Sequence, residues 1–154
     1  MAREQAFQTV VKTSTDGRLY LPLPFDPASL LDRPFRHLSG AINGAYFRGQ
    51  AAEVDGQIAM PVGLAWVRER GYAVGDQVEV VLRPEGPLRE DLAADLADAL
   101  AAAPKAGAFW DMLAPFYRKG YLRWIEATKR NPGLRAARIA QVVEWLSAGR
   151  KSAP

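Results

Sequence analysis

Apolar and polar residues alternate over most of the first 82 positions, and beyond them the apolar positions recur at helical spacing. Strand patterns run over 4–12, 19–23, 34–42 and 45–53, with Phe7, Val11, Phe35, His37, Ile42, Tyr46 and Phe47 among them. The stretch 55–82, DGQIAMPVGLAWVRERGYAVGDQVEVVL, organises this half. Its alternation around Ile58 and Met60 predicts a strand that Pro61 closes, because proline has no N–H to donate. Leu64, Val67 and Trp66 predict a short helix ending near Gly71, and Gly75-Asp76 turns the chain into Val78, Val80 and Leu82. Asn43-Gly44 between two strand patterns predicts a hairpin, since a type I′ turn needs φ > 0 at both central residues.

The segment Asp16-Gly17-Arg18-Leu19-Tyr20-Leu21-Pro22 aligns without gaps on Asp55-Gly56-Gln57-Ile58-Ala59-Met60-Pro61. A short helix over 27–31 follows the first as 64–70 follows the second, though the first lacks a Gly-Asp turn. This partial repeat predicts a pseudo-twofold barrel within one chain. The competing explanation is two unrelated hairpins that share common turn residues.

After a Pro- and Gly-containing linker at 83–87, Leu92, Leu96, Ala99 and Leu100 mark one face of an Ala-rich helix. Pro104 starts a further helical segment, and a helix from about 115 to 128 places Tyr117, Tyr121, Trp124 and Ile125 along one side. Asn131-Pro132 caps and starts a last helix, striped by Leu134, Ile139, Val142, Val143 and Leu146 and ended by Gly149.

The net charge of +3 is unevenly distributed. Residues 1–104 hold 10 basic and 14 acidic side chains, whereas 115–154 hold 9 basic and 2 acidic. That bias is the footprint either of an anionic partner or of a solvated helix surface. With no cysteine, disulfides, thiolate metal sites and thiol nucleophiles are excluded, and with His37 as the only histidine a histidine-rich metal site is excluded too. The N-terminal stretch carries charges where a secretory leader needs an apolar run, and no apolar stretch is long enough to span a bilayer, so a cytoplasmic chain is expected. No carboxylate spacing or glycine-rich loop composes a catalytic or phosphate-cradling motif, so no cofactor is expected.

Lys129, Arg130, Arg135 and Arg138 are the candidate anion-binding residues. Arg135 and Arg138 are neighbours on a helix surface, and Lys129 and Arg130 stand before that helix's N-terminus. The competing assignment pairs the two arginines with carboxylates and so uses them to dock the helix. Tyr117, Tyr121 and Trp124 fit a core face better than a base-stacking surface.

The stretch 56–80, with Gly56, Pro61, Gly75, Asp76, Val78 and Val80, resembles the swapped-hairpin half-barrels of AbrB- and MazE-like proteins. The C-terminal run, with Tyr121, Trp124, Ile125, Lys129, Arg135, Arg138, Ile139, Leu146 and Gly149, resembles the YdeI/OmpD-associated, OmdA-like or bacteriocin-protection family. Gly40, Ile42, Asn43 and Gly44, followed by Phe47, Gly49, Gly75 and Asp76, are similar to the small barrel domain often joined to that region. The chain departs from the family pattern at Gly133-Leu134 and at Thr128. These resemblances imply an α+β chain: a small double-split β-barrel over 1–84 and a helical region over 85–154 packed on it. Asn43, Gly44, Gly75, Asp76 and Trp124 would be its structural motif positions. They imply no reaction. The expected function is a non-enzymatic binding or regulatory module that meets an anionic small molecule, protein or nucleic acid through the basic helical region. The alternatives are an AbrB-like nucleic-acid binder and an enzyme with a barrel–helix cleft. Monomer and homodimer both remain open.

Overall fold

The computed structural model describes residues 3–154, which divide into two compact units, one ending at Glu85 and the other running from Gly86 to Pro154. The protein is α+β: two antiparallel four-stranded sheets make up the first unit, and four of the six α-helices found among the described residues make up the second.

In the first unit the strands are β1 (Gln5–Val10), β2 (Lys12–Thr13), β3 (Leu19–Pro22), β4 (His37–Ile42), β5 (Ala45–Gln50), β6 (Ala52–Val54), β7 (Gln57–Val62) and β8 (Gln77–Pro84). Helix α1 (Ala28–Leu31) lies between β3 and β4, and α2 (Leu64–Glu69) between β7 and β8. One sheet has the order β1-β8-β4-β5 and the other β2-β3-β7-β6. Exchanging the first four strands for the last four leaves both orders unchanged.

The register obeys the same exchange. Leu21 pairs with Met60, its own counterpart in the sequence repeat, at the centre of the β3–β7 ladder. The ladder that matches Phe7 with Val80 is mirrored by the one that matches Phe47 with Gly40. Val11 donates its N–H to Asp76 O, and Ala51, forty residues on, donates to Arg36 O, at 2.9 and 2.8 Å. Arg36 therefore occupies the place that Asp76 holds in the second half, without a Gly-Asp turn. Val11 and Ala51 are the single residues at which β1–β2 and β5–β6 pass from one sheet to the other.

The core repeats this relation, with Val11 and Ala51, Leu21 and Met60, Leu38 and Val78, and Ile42 and Leu82 all buried in one cluster. Phe7 meets Phe25 edge-on at 5.7 Å, and Phe47 meets Trp66 edge-on at 5.4 Å. His37 lies buried at the start of β4. Asn43-Gly44 and Asp55-Gly56 turn with φ of 47° and 80° and of 48° and 80°, as type I′ hairpins require. Asn43 also accepts from the Glu79 N–H (2.8 Å), and the Asp76 carboxylate accepts from Ala73 N (2.8 Å) to close the turn at Gly75.

Three expectations need adjustment. Among the described residues the ladders form two open sheets and not one closed ring. Pro61 does not end its strand. The Ile58 carbonyl bonds toward β3, so Pro61 faces the other side, where pairing with β6 has already stopped at Ala59 and no donor is needed. Arg83 and Pro84 belong to β8 and not to a linker, because they pair with Ser39 and Leu38.

The second unit holds α3 (Ala94–Ala102), α4 (Pro104–Met112), α5 (Pro115–Glu126) and α6 (Pro132–Ser147). Three of these four begin with proline, whose absent N–H is no loss in a first turn. Asn131 caps α6 by accepting from Leu134 N at 3.0 Å. Leu96, Leu100, Trp110, Tyr121, Ile125, Ile139, Val142 and Leu146 form its core. No helix among the described residues is long and apolar enough to cross a membrane.

Candidate functional site

Of the nine basic residues after position 114, four are engaged within the helical unit. Arg118 is completely buried. It shares a face of α5 with buried Tyr121 and Ile125, at helical spacing. Its Nε donates to Leu113 O (2.9 Å) and its Nη1 to Pro87 O (2.7 Å). A guanidinium at the end of α4 satisfies a terminal carbonyl and complements the helix dipole. Nearby, Asp111 is 3% exposed and receives a forked pair from Arg89, at 3.0 and 2.7 Å. Sequence reasoning does not single out Arg118 as a core residue, although its place on the Tyr121–Ile125 stripe is a usable signal.

Arg135 spans two helices from a third. Its Nε and Nη2 donate to the Asp95 carboxylate on α3 (2.6 and 3.0 Å), and its Nη1 donates to Glu126 on α5 (3.0 Å). These hydrogen bonds lower the Asp95 pKa and raise that of Arg135. A carboxylate with a depressed folded pKa contributes stability that is present above its unfolded pKa, ordinarily 3.8, and is lost as pH falls through the lower folded value. We therefore expect Arg135→Gln to melt slightly below wild type near neutrality, by a small margin because Asp95 is half exposed, and the two melting temperatures to converge as pH falls below about 4, so that the variant's acid limb is the flatter. Melting curves of both proteins across pH 2–5 test this; identical acid limbs would refute it.

Arg138 donates to Trp124 O (2.6 Å), and its guanidinium lies 4.6 Å from the centre of the Trp124 ring. Trp124 packs 4.9 Å from Trp145, over which Arg150 sits at 4.4 Å. The result is a four-layer stack of cation, ring, ring and cation between α5, α6 and the chain beyond it. Tyr121, buried so that its phenol is pushed above its ordinary pKa, donates to Arg150 O.

Lys119, Arg123, Lys129, Arg130 and Lys151 are exposed and make no ion pair among the described residues. Lys119 and Arg123 lie one turn apart on α5. Arg123 lines a pocket of about 370 Å³ with Phe116, Tyr117, Gly120 and Trp124 and the chain at Ser152–Pro154. Phe116 is 67% exposed there, edge-on to Tyr117 at 5.3 Å. Lys129 adopts φ 52° in the turn between α5 and α6, and Thr128 closes α5 by donating its hydroxyl to Ile125 O (2.7 Å). Of the four cations expected to bind an anion, the structure thus places Lys129 and Arg130 in solvent and holds Arg135 and Arg138 in intramolecular contacts.

No curated protein matches this chain. Residues 91–149 match the family model OmdA, described as bacteriocin-protection, YdeI or OmpD-associated. The match takes in the buried Asp111, the Arg135 bridge and the Arg138, Trp124 and Trp145 layers of the stack, and leaves the two-sheet unit outside it. The family match thus falls within the helical unit.

Proposed function

We propose that the helical unit is a non-enzymatic binding module whose partner is anionic. Lys119 and Arg123 on α5, with Lys129 and Arg130 in the following turn, make the contact. The observation that carries this is the division of the basic residues. Arg118, Arg135, Arg138 and Arg150 are engaged internally, whereas these four face solvent without a counter-charge. Unneutralised cations concentrate anions at a surface, and the exposed Phe116 beside Arg123 adds apolar contact area. In this reading Arg135 and Arg138 act indirectly, by holding α6 in place.

Retention on heparin and on duplex DNA at low and high salt tests the proposal. The protein should be retained at low salt, and the variant Lys119→Gln, Arg123→Gln, Lys129→Asn, Arg130→Gln should pass through both columns while keeping its circular dichroism. Asparagine is chosen at 129 because it tolerates positive φ. Equal retention of the two proteins would refute the proposal.

For the first unit we infer a double-split barrel of the AbrB type. The exchange symmetry of the ladders supports it, as do the strand bends at Val11 and Ala51. The Thr15 N–H and hydroxyl also donate to the Asp55 carboxylate at 3.1 Å each, so the turns after β2 and β6 come together. Nucleic-acid binding by this unit is the second reading.

A further inference from the structure

The two halves of the first unit solve the same folding problem, so each position has an internal control in its register mate. Residues needed for the fold recur at both: Phe7 and Phe47 each meet a ring edge-on, and Pro22 and Pro61 occupy matching places in the central ladder. Tyr46 and Arg48 break the pattern. Their mates on the opposite edge of the same sheet are Ala6 and Gln8. Tyr46 is 63% exposed, and its ring is absent from the core cluster. The fold therefore leaves the ring unexplained and accounts for the guanidinium only through its pair with Glu85, which leaves Arg48 half exposed.

Both line one cleft of about 400 Å³, together with Gly63, Trp66 and Arg70. Trp66 is braced by Phe47 at 5.4 Å and by Tyr72 at 5.6 Å, so its ring is held in place before any ligand arrives. The Arg70 guanidinium lies 5.9 Å from the Trp66 ring, and Arg48 reaches the cleft while bound to Glu85 at 2.9 Å. Gly63 leaves open space where a side chain would stand, and its counterpart is Pro24. Two aromatic faces supply stacking area, and two guanidiniums supply forked donors suited to phosphate oxygens.

We propose that this cleft is a nucleotide site, in which an aromatic base stacks on Tyr46 and Trp66 and the phosphate is met by Arg70 and Arg48. The site is independent of the cations on α5. A nucleotide unit can come free or within a single strand, and the chemistry is the same.

The test is a titration of the ¹⁵N-labelled full chain with adenosine monophosphate, followed by the Trp66 indole N–H and the Gly63 and Arg48 amides. Adenosine, inorganic phosphate and a short single-stranded oligonucleotide serve as parallel arms. We expect saturable shifts at these positions with the mononucleotide, weaker ones with adenosine, and none at Trp66 with phosphate alone. Tyr46→Ala and Arg70→Ala, both at exposed positions, should each weaken binding about tenfold. The four-residue variant of α5 and its turn should bind the nucleotide unchanged. Tighter binding of the oligonucleotide identifies a strand as the source, and equal binding the free nucleotide. No shift at Trp66 at millimolar nucleotide, the same shift with phosphate alone, or undiminished binding in the folded variants would each overturn the proposal.

Discussion

Gly40→Ala is expected to unfold the two-sheet unit well below the wild-type melting temperature. A Cβ at Gly40 would stand 1.8 Å from Val81 O, 2.8 Å from Val81 C and 3.1 Å from Leu82 Cα. These are backbone atoms of β8, and β8 is held on its other side by β1. Neither strand can withdraw without breaking the β4–β8 ladder on which the exchange symmetry is centred. Steric overload of this kind costs about 3 kcal/mol or more, a drop of about 10 °C or more for a unit of this size. Gly44→Ala is the control. It also occupies a required glycine position, at φ 80°, but nothing lies within 4 Å of its Cβ, so only the backbone cost of about 1–2 kcal/mol applies. Far-UV circular dichroism melts of the two variants check this; equal effects would show that β4 and β8 leave room for a methyl group between them.

Asp111→Ala should produce the largest loss in the helical unit. Its buried carboxylate holds Arg89 through two hydrogen bonds, and the Arg89 guanidinium in turn lies where a Cβ on Gly107 would stand, 2.7 Å away. Removing the carboxylate leaves the Arg89 guanidinium, only 26% exposed, without its counter-charge, at a cost of about 2–3 kcal/mol. Arg135→Gln, which breaks ion pairs with exposed carboxylates, should cost about 1 kcal/mol or less. Urea unfolding midpoints of the two variants should therefore differ severalfold in their displacement from wild type. Comparable displacements would mean that the Arg135 bridge carries as much of the unit as the Arg89–Asp111 pair.

Much of the fold was legible because it is written in turn residues and in periodicity. Asn43-Gly44 and Asp55-Gly56 name their own turns, and Pro104, Pro115 and Asn131-Pro132 mark helix starts that the structure places where the pattern did. The extent of the repeat was not legible. Register is a relation between backbones, and mates such as Val11 and Ala51, or Leu38 and Val78, need only match in volume and burial. A turn one residue longer at Ser14–Arg18 than at Val54–Gln57 hides the alignment further. Pro61 misled for a related reason: which side of a central strand lacks a partner cannot be read from that strand alone.

The candidate site was legible in kind and only partly in its members. The excess of basic residues was plain, but spacing does not say which cations a fold consumes. Arg135 reaches Asp95, forty positions earlier in the chain, and Arg138 finds its ring on a different helix. Arg123 and Lys119 were passed over because α5 reads first as an aromatic core helix. The cleft at Tyr46 has no local motif at all. It emerges only when Tyr46 is set beside Ala6 and Arg48 beside Gln8.

The salt dependence of polyanion binding bears most directly on the assignment of the basic surface. Dissociation constants for duplex DNA would be measured across a range of salt for wild type, for Arg135→Gln and for the variant at 119, 123, 129 and 130. Each duplex phosphate that the protein no longer neutralises lowers the slope of log affinity against log salt by about 0.9. We expect the surface variant to lose a slope of about 2 or more and Arg135→Gln to keep the wild-type slope. A wild-type slope in the surface variant, with the reduction falling on Arg135→Gln instead, would contradict this assignment and return the site to the arginines of α6.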